Sequence, residues 1–107
     1  MTGYTDLIVR RDYPKLGEEV FVEYRNPMTA PADMLSADEV GTGSQRTVNY
    51  TVIAKLLRRW HIPDATVEEG DVPLLEGPAT ADMVGRIPGV IVRDIMTDVA
   101  EALTGPR

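Results

Sequence analysis

The chain has 107 residues, of which 43% are hydrophobic and 26% charged, and these values predict one folded domain over residues 1–107. Its formal net charge of -6 repels a phosphate backbone, so we do not expect nucleic acid as a partner. It has no cysteine and no apolar run of about 18 residues, which excludes disulfides and thiolate metal sites and argues against a membrane-spanning helix or a membrane partner.

The N-terminal part predicts a β-hairpin over about residues 5–25. Two stretches rich in β-branched and aromatic residues flank a turn-forming segment that contains Pro14. In the second strand Val20, Val22 and Tyr24 fall on one face, because side chains alternate along a strand. That apolar face must be buried against another part of the chain.

Apolar residues at helical spacing follow the hairpin and predict helices at about residues 32–39, 46–61, 81–87 and 89–103. The second pattern is the strongest, with apolar residues three and four apart at Val48, Val52, Ile53, Leu56, Leu57 and Trp60. Thr80 is the expected cap of the third helix. Residues 64–78, rich in carboxylates, glycine and proline, predict an exposed acidic loop. The fold class is therefore α+β, an N-terminal β-hairpin followed by a mainly α-helical compact domain of three to four helices.

The residues able to carry chemistry form no arrangement typical of an enzyme. His61 is the only histidine, and no Ser-His-Asp spacing surrounds it. The acidic cluster Asp64, Glu68, Glu69 and Asp71 matches no calcium-binding loop, and no glycine-rich phosphate loop accompanies the arginine pairs Arg10-Arg11 and Arg58-Arg59. We predict no catalytic residue, no metal site and no cofactor, and expect a protein that binds other proteins.

Three segments follow one another in a characteristic order, with the acidic loop before the last: Tyr24-Arg25-Asn26-Pro27, then Val52-Ile53-Ala54-Lys55-Leu56-Leu57 running to Trp60, then Thr80-Ala81-Asp82-Met83-Val84 leading to Ile87-Pro88. Over about residues 20–103 this order resembles the small tail assembly chaperones of long-tailed, siphovirus-type phages and prophages of actinobacteria. In that family a helix ends in a tryptophan, an acidic loop follows, a short capped helix runs into a Leu/Ile-Pro step, and a last helix closes the domain.

The resemblance implies a non-enzymatic protein that binds the long helical tape-measure protein, keeps it soluble and helps to recruit the tail-tube protein. It would act in the host cytoplasm during infection. An apolar face of the chaperone would shelter the client, and the predicted partner-binding residues are Met83, Val92, Met96, Val99, Leu103 and Trp60. For each of these side chains, core packing is the alternative.

Other hypotheses stay open. One is a structural virion protein of the head-tail or tail module, such as a completion, terminator or other ring-forming subunit, whose hairpin edge would pair with a neighbour. A small binding or regulatory module of the host is a second, and an enzyme is the least favoured. Assembly into a homo-oligomer is compatible with each of them.

Overall fold

Three strands form one antiparallel sheet in the computed structural model, which describes residues 7–35 and 45–104. β1 (Ile8–Asp12) and β2 (Phe21–Arg25) pair directly. β3 (Leu57–His61) pairs with the opposite side of β2, which makes β2 the central strand. The hairpin predicted over about residues 5–25 is supported by its two strands, and residues 5 and 6 lie outside the described residues.

The described residues contain three α-helices: α1 (Gln45–Leu56), α2 (Ala81–Val84) and α3 (Gly89–Thr104). The α+β class and this helix number agree with the sequence prediction. α3 ends one residue beyond the predicted range. α2 is shorter than predicted, since the backbone N–H groups of Arg86 and Ile87 donate to the carbonyls three residues earlier, at Met83 and Val84, and so leave the α-helical pattern.

Two 3-10 helices, Pro27–Thr29 and Ala32–Leu35, follow β2. The second lies at the start of the helix predicted for residues 32–39. Residues 36–39 are outside the described residues.

The prediction of one continuous helix over residues 46–61 is wrong beyond Leu56. The last five residues of that range form β3 because the free side of β2 offers backbone hydrogen bonds there. Arg58 is an extra residue in the register, which runs from Arg59 opposite Glu23 to Leu57 opposite Tyr24. Such a bulge puts two side chains three residues apart on the same face of a sheet, so the apolar spacing imitates a helix.

The buried apolar side chains form one cluster that includes the inward face of the sheet and one side of α3. Val20, Val22 and Tyr24 are buried there, as the strand pattern predicts. From α3 the cluster takes Ile91, Ile95 and Val99. The last helix thus buries part of the apolar face of β2.

The acidic loop, residues 64–78, folds back on the segment that follows β3. The backbone N–H of Leu75 donates to the carbonyl of Ile62 at 2.9 Å, and that of Asp64 donates to the carbonyl of Pro73 at 3.0 Å. Leu75 is buried by this pairing, whereas most of the loop is exposed as predicted. Among the described residues, no helix is long and apolar enough to cross a membrane.

Candidate functional site

A cluster of polar side chains ties α3 to the sheet. Arg11 Nη2 donates to both carboxylate oxygens of Asp98 at 3.1 Å, and the Tyr24 hydroxyl donates to the same carboxylate. Arg11 Nε donates to the Tyr24 hydroxyl oxygen at 2.9 Å. One helical turn earlier, the Tyr13 hydroxyl donates to Asp94 Oδ2 at 2.8 Å. These bonds fix how α3 lies on the sheet.

Burial and hydrogen bonds shift the pKa values of Tyr13, Tyr24 and Asp94 in this cluster. Burial raises the pKa of Tyr24 and of Tyr13, and their hydrogen bonds to Asp98 and Asp94 raise it further, so both phenols stay neutral donors. Burial alone would raise the pKa of Asp94, but hydrogen bonds from Tyr13 and Arg93 outweigh it and the pKa lies below its usual value. These two phenols and Asp94 therefore suit a structural link rather than proton transfer near neutral pH.

The predicted partner-binding residues divide between the core and the surface. Met83 and Val99 are only 6% and 2% exposed and pack in the core. Val92 and Met96 are half-buried, and Leu103 is 61% exposed. These last three are four and seven residues apart, so they share one side of the helix. We call Val92, Met96 and Leu103 the α3 flank.

Trp60 lies on β3 rather than at the end of a helix. It is half-buried, and its indole Nε1 donates to the Leu75 carbonyl at 2.9 Å. A Cβ at Gly77 would lie 3.4 Å from the Trp60 ring, so the backbone of the acidic loop closely approaches the indole. Trp60 therefore holds the acidic loop against the sheet.

The opposite side of the sheet carries an arginine and aromatic cluster. The Arg10 guanidinium carbon lies 4.1 Å from the centre of the Phe21 ring and that of Arg59 lies 5.8 Å from it, within range of cation–π attraction. Glu23 accepts hydrogen bonds from Arg10 at 3.0 Å and from Arg59 at 3.4 Å. None of these four side chains is buried, and we call them the outer face.

An open cleft of about 500 Å³ lies where the outer face meets the acidic loop. It is lined by Phe21, Arg58, Arg59, Trp60, His61, Leu75, Glu76 and Gly77. This surface could not be predicted from the sequence, since the third strand that completes it has the apolar spacing of a helix.

The acidic cluster has one buried member. Asp64 is 5% exposed and accepts hydrogen bonds from the hydroxyl and the backbone N–H of Thr66, and its carboxylate also pairs with Arg86 at 3.4 Å. The bonds from Thr66, and then the charge of Arg86, lower the pKa of Asp64. The described residues contain no group of three or more side chains able to hold a metal ion together.

Comparison of the chain with protein-family models, curated proteins and solved structures gives no significant match. The resemblance to tail assembly chaperones thus depends on the three sequence segments and their order.

Proposed function

We propose that the chain is a non-enzymatic phage tail assembly chaperone that binds the tape-measure protein and assists assembly of the tail tube. The observation that supports this most directly is the α3 flank. Three apolar side chains stand in a row on the last helix, and the outermost, Leu103, is largely exposed. Aligned apolar side chains at a surface are typical of a site that receives an amphipathic partner helix.

The polar cluster between α3 and the sheet supports the same proposal. On a helix of 3.6 residues per turn, Asp94 and Asp98 lie on one side of the buried row Ile91, Ile95 and Val99, and the α3 flank lies on the other. Because Arg11 and the tyrosines hold the acidic side against the sheet, the α3 flank lies on the other side of the buried row, where Val92 and Met96 pack at the edge of the core and Leu103 is exposed. The helix is thereby fixed in the orientation that a client would meet.

The chemistry of the α3 flank suits a transient client. Met96 is unbranched and flexible, so it adapts to client side chains of different shape. A row of three residues gives a modest contact area, as a chaperone that later releases its client requires. The net charge of -6 keeps the complex soluble while the client's apolar stripe is covered.

Substitutions on the α3 flank test the proposal. The chain is co-expressed with the tape-measure protein encoded beside it, and the soluble fraction of that client is measured. Met96→Glu and Leu103→Glu should each reduce this fraction several-fold, because a carboxylate in the contact must be desolvated. Thr97→Glu is the matched control, since Thr97 is exposed on the polar side of α3 and should leave the fraction unchanged. Unchanged client solubility with both flank variants folded would refute this assignment.

The alternative function is that of a structural virion subunit, which the free edge of β1 favours. Among the described strands β1 pairs only with β2, and Leu7 and Ile8 are exposed at its start. An unpaired edge can accept a strand from a neighbouring subunit. Mass spectrometry of purified particles separates the two functions. A chaperone is absent from the particle, whereas a subunit is present at a fixed copy number.

A further inference from the structure

The later part of the acidic loop, residues 68–78, is attached at few points, and we call it the strap. Among the described residues, three hydrogen bonds tie the strap to the rest of the chain. The backbone N–H of Asp64 donates to the Pro73 carbonyl at 3.0 Å. The backbone N–H of Leu75 donates to the Ile62 carbonyl at 2.9 Å. The third is the indole bond to the Leu75 carbonyl described above.

Burial adds one anchor to these bonds. Leu75 is 8% exposed and is the one strap residue in the core cluster, whereas the other strap residues are exposed. The strap has no lysine or arginine, and its carboxylates form none of the ion pairs among the described residues. Segments with so few buried apolar contacts are the least stable parts of a fold.

Both ends of the strap are fixed more firmly than its middle. Before it, the buried Asp64 accepts hydrogen bonds from Thr66 and pairs with Arg86. The backbone N–H of Ala65 also donates to the Arg86 carbonyl at 2.9 Å. After it, Thr80 caps α2. None of these contacts involves a strap residue, so they persist when the strap moves.

The strap separates two clefts. The cleft of about 500 Å³ beside the outer face adjoins a second cleft of about 370 Å³, which Met83 and Arg86 help to line. Leu75, Glu76 and Gly77 line both of them. When these three residues move away, the two spaces become one groove and the Trp60 ring, which Gly77 approaches closely, is uncovered.

We infer that the strap opens as a unit while the sheet and the α-helices stay folded, and that this opening joins the two clefts and uncovers Trp60. Opening breaks three hydrogen bonds and removes one side chain from the core, whereas global unfolding exposes the whole core cluster. The open state is therefore more populated than the unfolded chain. The inference goes beyond the proposed function, since the α3 flank lines neither cleft.

Hydrogen exchange of the wild type, followed by NMR at low urea concentrations, tests the inference. The Leu75 amide reports on the strap, and the Val99 amide in the buried row of α3 reports on global unfolding. After correction for intrinsic rates, Leu75 should exchange at least about tenfold faster than Val99. Its rate should also depend less on urea, because opening exposes little surface. The indole N–H of Trp60 should show the same weak urea dependence as Leu75. Equal rates and equal urea dependence of Leu75 and Val99 would refute local opening.

A core substitution outside the strap is the matched comparison. Ile95→Val removes a buried methylene group and lowers global stability, so it should speed exchange at Val99 several-fold. Exchange at Leu75 should not change, because α3 stays folded in the open state. An equal acceleration at Leu75 would show that the strap opens only with the core, which contradicts the inference.

A disulfide across the base of the strap gives a second test. Pro63 and Leu74 are opposite each other in an antiparallel bridge, and the chain has no cysteine of its own. In the double variant Pro63→Cys, Leu74→Cys, oxidation should slow exchange at Leu75 to the rate of Val99, since the strap can no longer leave. The reduced form of the same variant is the control and should keep the two rates apart. Exchange at Leu75 that stays faster than at Val99 after oxidation would show that the strap is not the moving segment.

Discussion

At the scale of single residues, the most consequential contacts are those that satisfy polar groups beside the core. Tyr24 shows this, because its ring is fully buried while its hydroxyl reaches Asp98 at the rim of the core. Sequence alone places Tyr24 on the inward face of β2 but does not reveal its partner. The signal is present in the spacing. Arg11 and Tyr13 are about 6.7 Å apart along an extended chain, and Asp94 and Asp98 are about 6 Å apart along a helix.

Tyr24→Phe tests this link. The substitution keeps the buried ring and removes a donor to the Asp98 carboxylate, and Arg11 remains the other donor. We expect the free energy of unfolding to fall by about 1.5–3 kcal/mol, the usual contribution of a hydrogen bond to a charged group. Urea denaturation measures it. Tyr50→Phe is the control, since the Tyr50 hydroxyl forms no hydrogen bond among the described residues, and its effect should stay within about 0.5 kcal/mol. Equal stability of Tyr24→Phe and wild type would show that the bond is dispensable.

At the scale of elements, the sequence predicts a segment correctly where its apolar residues follow a single helical or strand period. It fails where a bulge gives a strand the apolar spacing of a helix. α3 follows a helical period from end to end, so its range was predicted to within one residue. β3 follows the strand period except at the bulge, where Arg58 adds a residue and aligns Leu57 with Trp60 on the inward side. The cleft was unpredictable for the same reason, because it requires β3 to lie beside β2.

Two adjacent arginines at the junction between α1 and β3 should contribute differently to stability. Arg58 Nη1 donates to the last two carbonyls of α1, that of Lys55 at 2.8 Å and that of Leu56 at 3.0 Å, and to the Leu57 carbonyl at the start of β3. A positive donor at a helix C-terminus is favourable, so Arg58→Ala should lower the free energy of unfolding by about 1 kcal/mol. Arg59→Ala removes an exposed pair with Glu23 and a contact with the Phe21 ring at 5.8 Å, both weak at an exposed site, and should change it by about 0.5 kcal/mol or less. Thermal and urea unfolding compare the two variants, and equal losses would contradict the assigned cap.

At the scale of the whole molecule, the distribution of charge matters more than its sum. Composition gives a net charge of -6 and excludes a strongly basic protein. The lack of lysine and arginine in the acidic loop can be read from the sequence, but only the fold shows that Arg10 and Arg59 meet at the Phe21 ring on the outer face. The core residues of β2 were predictable because they follow from alternation within one strand. The cleft was not, because it forms only where β3 pairs with β2.

The same charges predict how stability depends on pH. Asp64 and Asp94 have native pKa values below the ordinary 3.8, because hydrogen bonds favour their charged forms. Such groups stabilise the fold above the unfolded pKa and lose that contribution as pH falls through the native pKa. The free energy of unfolding should therefore be level above about pH 5 and decrease below about pH 4.

Asp64→Asn isolates one part of this effect. Asparagine keeps an oxygen that can accept from Thr66 but has no charge to protonate, so the slope of stability below about pH 4 should become shallower. Glu101→Gln is the control, as its side chain is exposed and forms none of the ion pairs among the described residues. An Asp64→Asn slope identical to that of wild type would mean that the charge on Asp64 does not stabilise the fold, and the turn would then depend on the Thr66 hydrogen bonds alone.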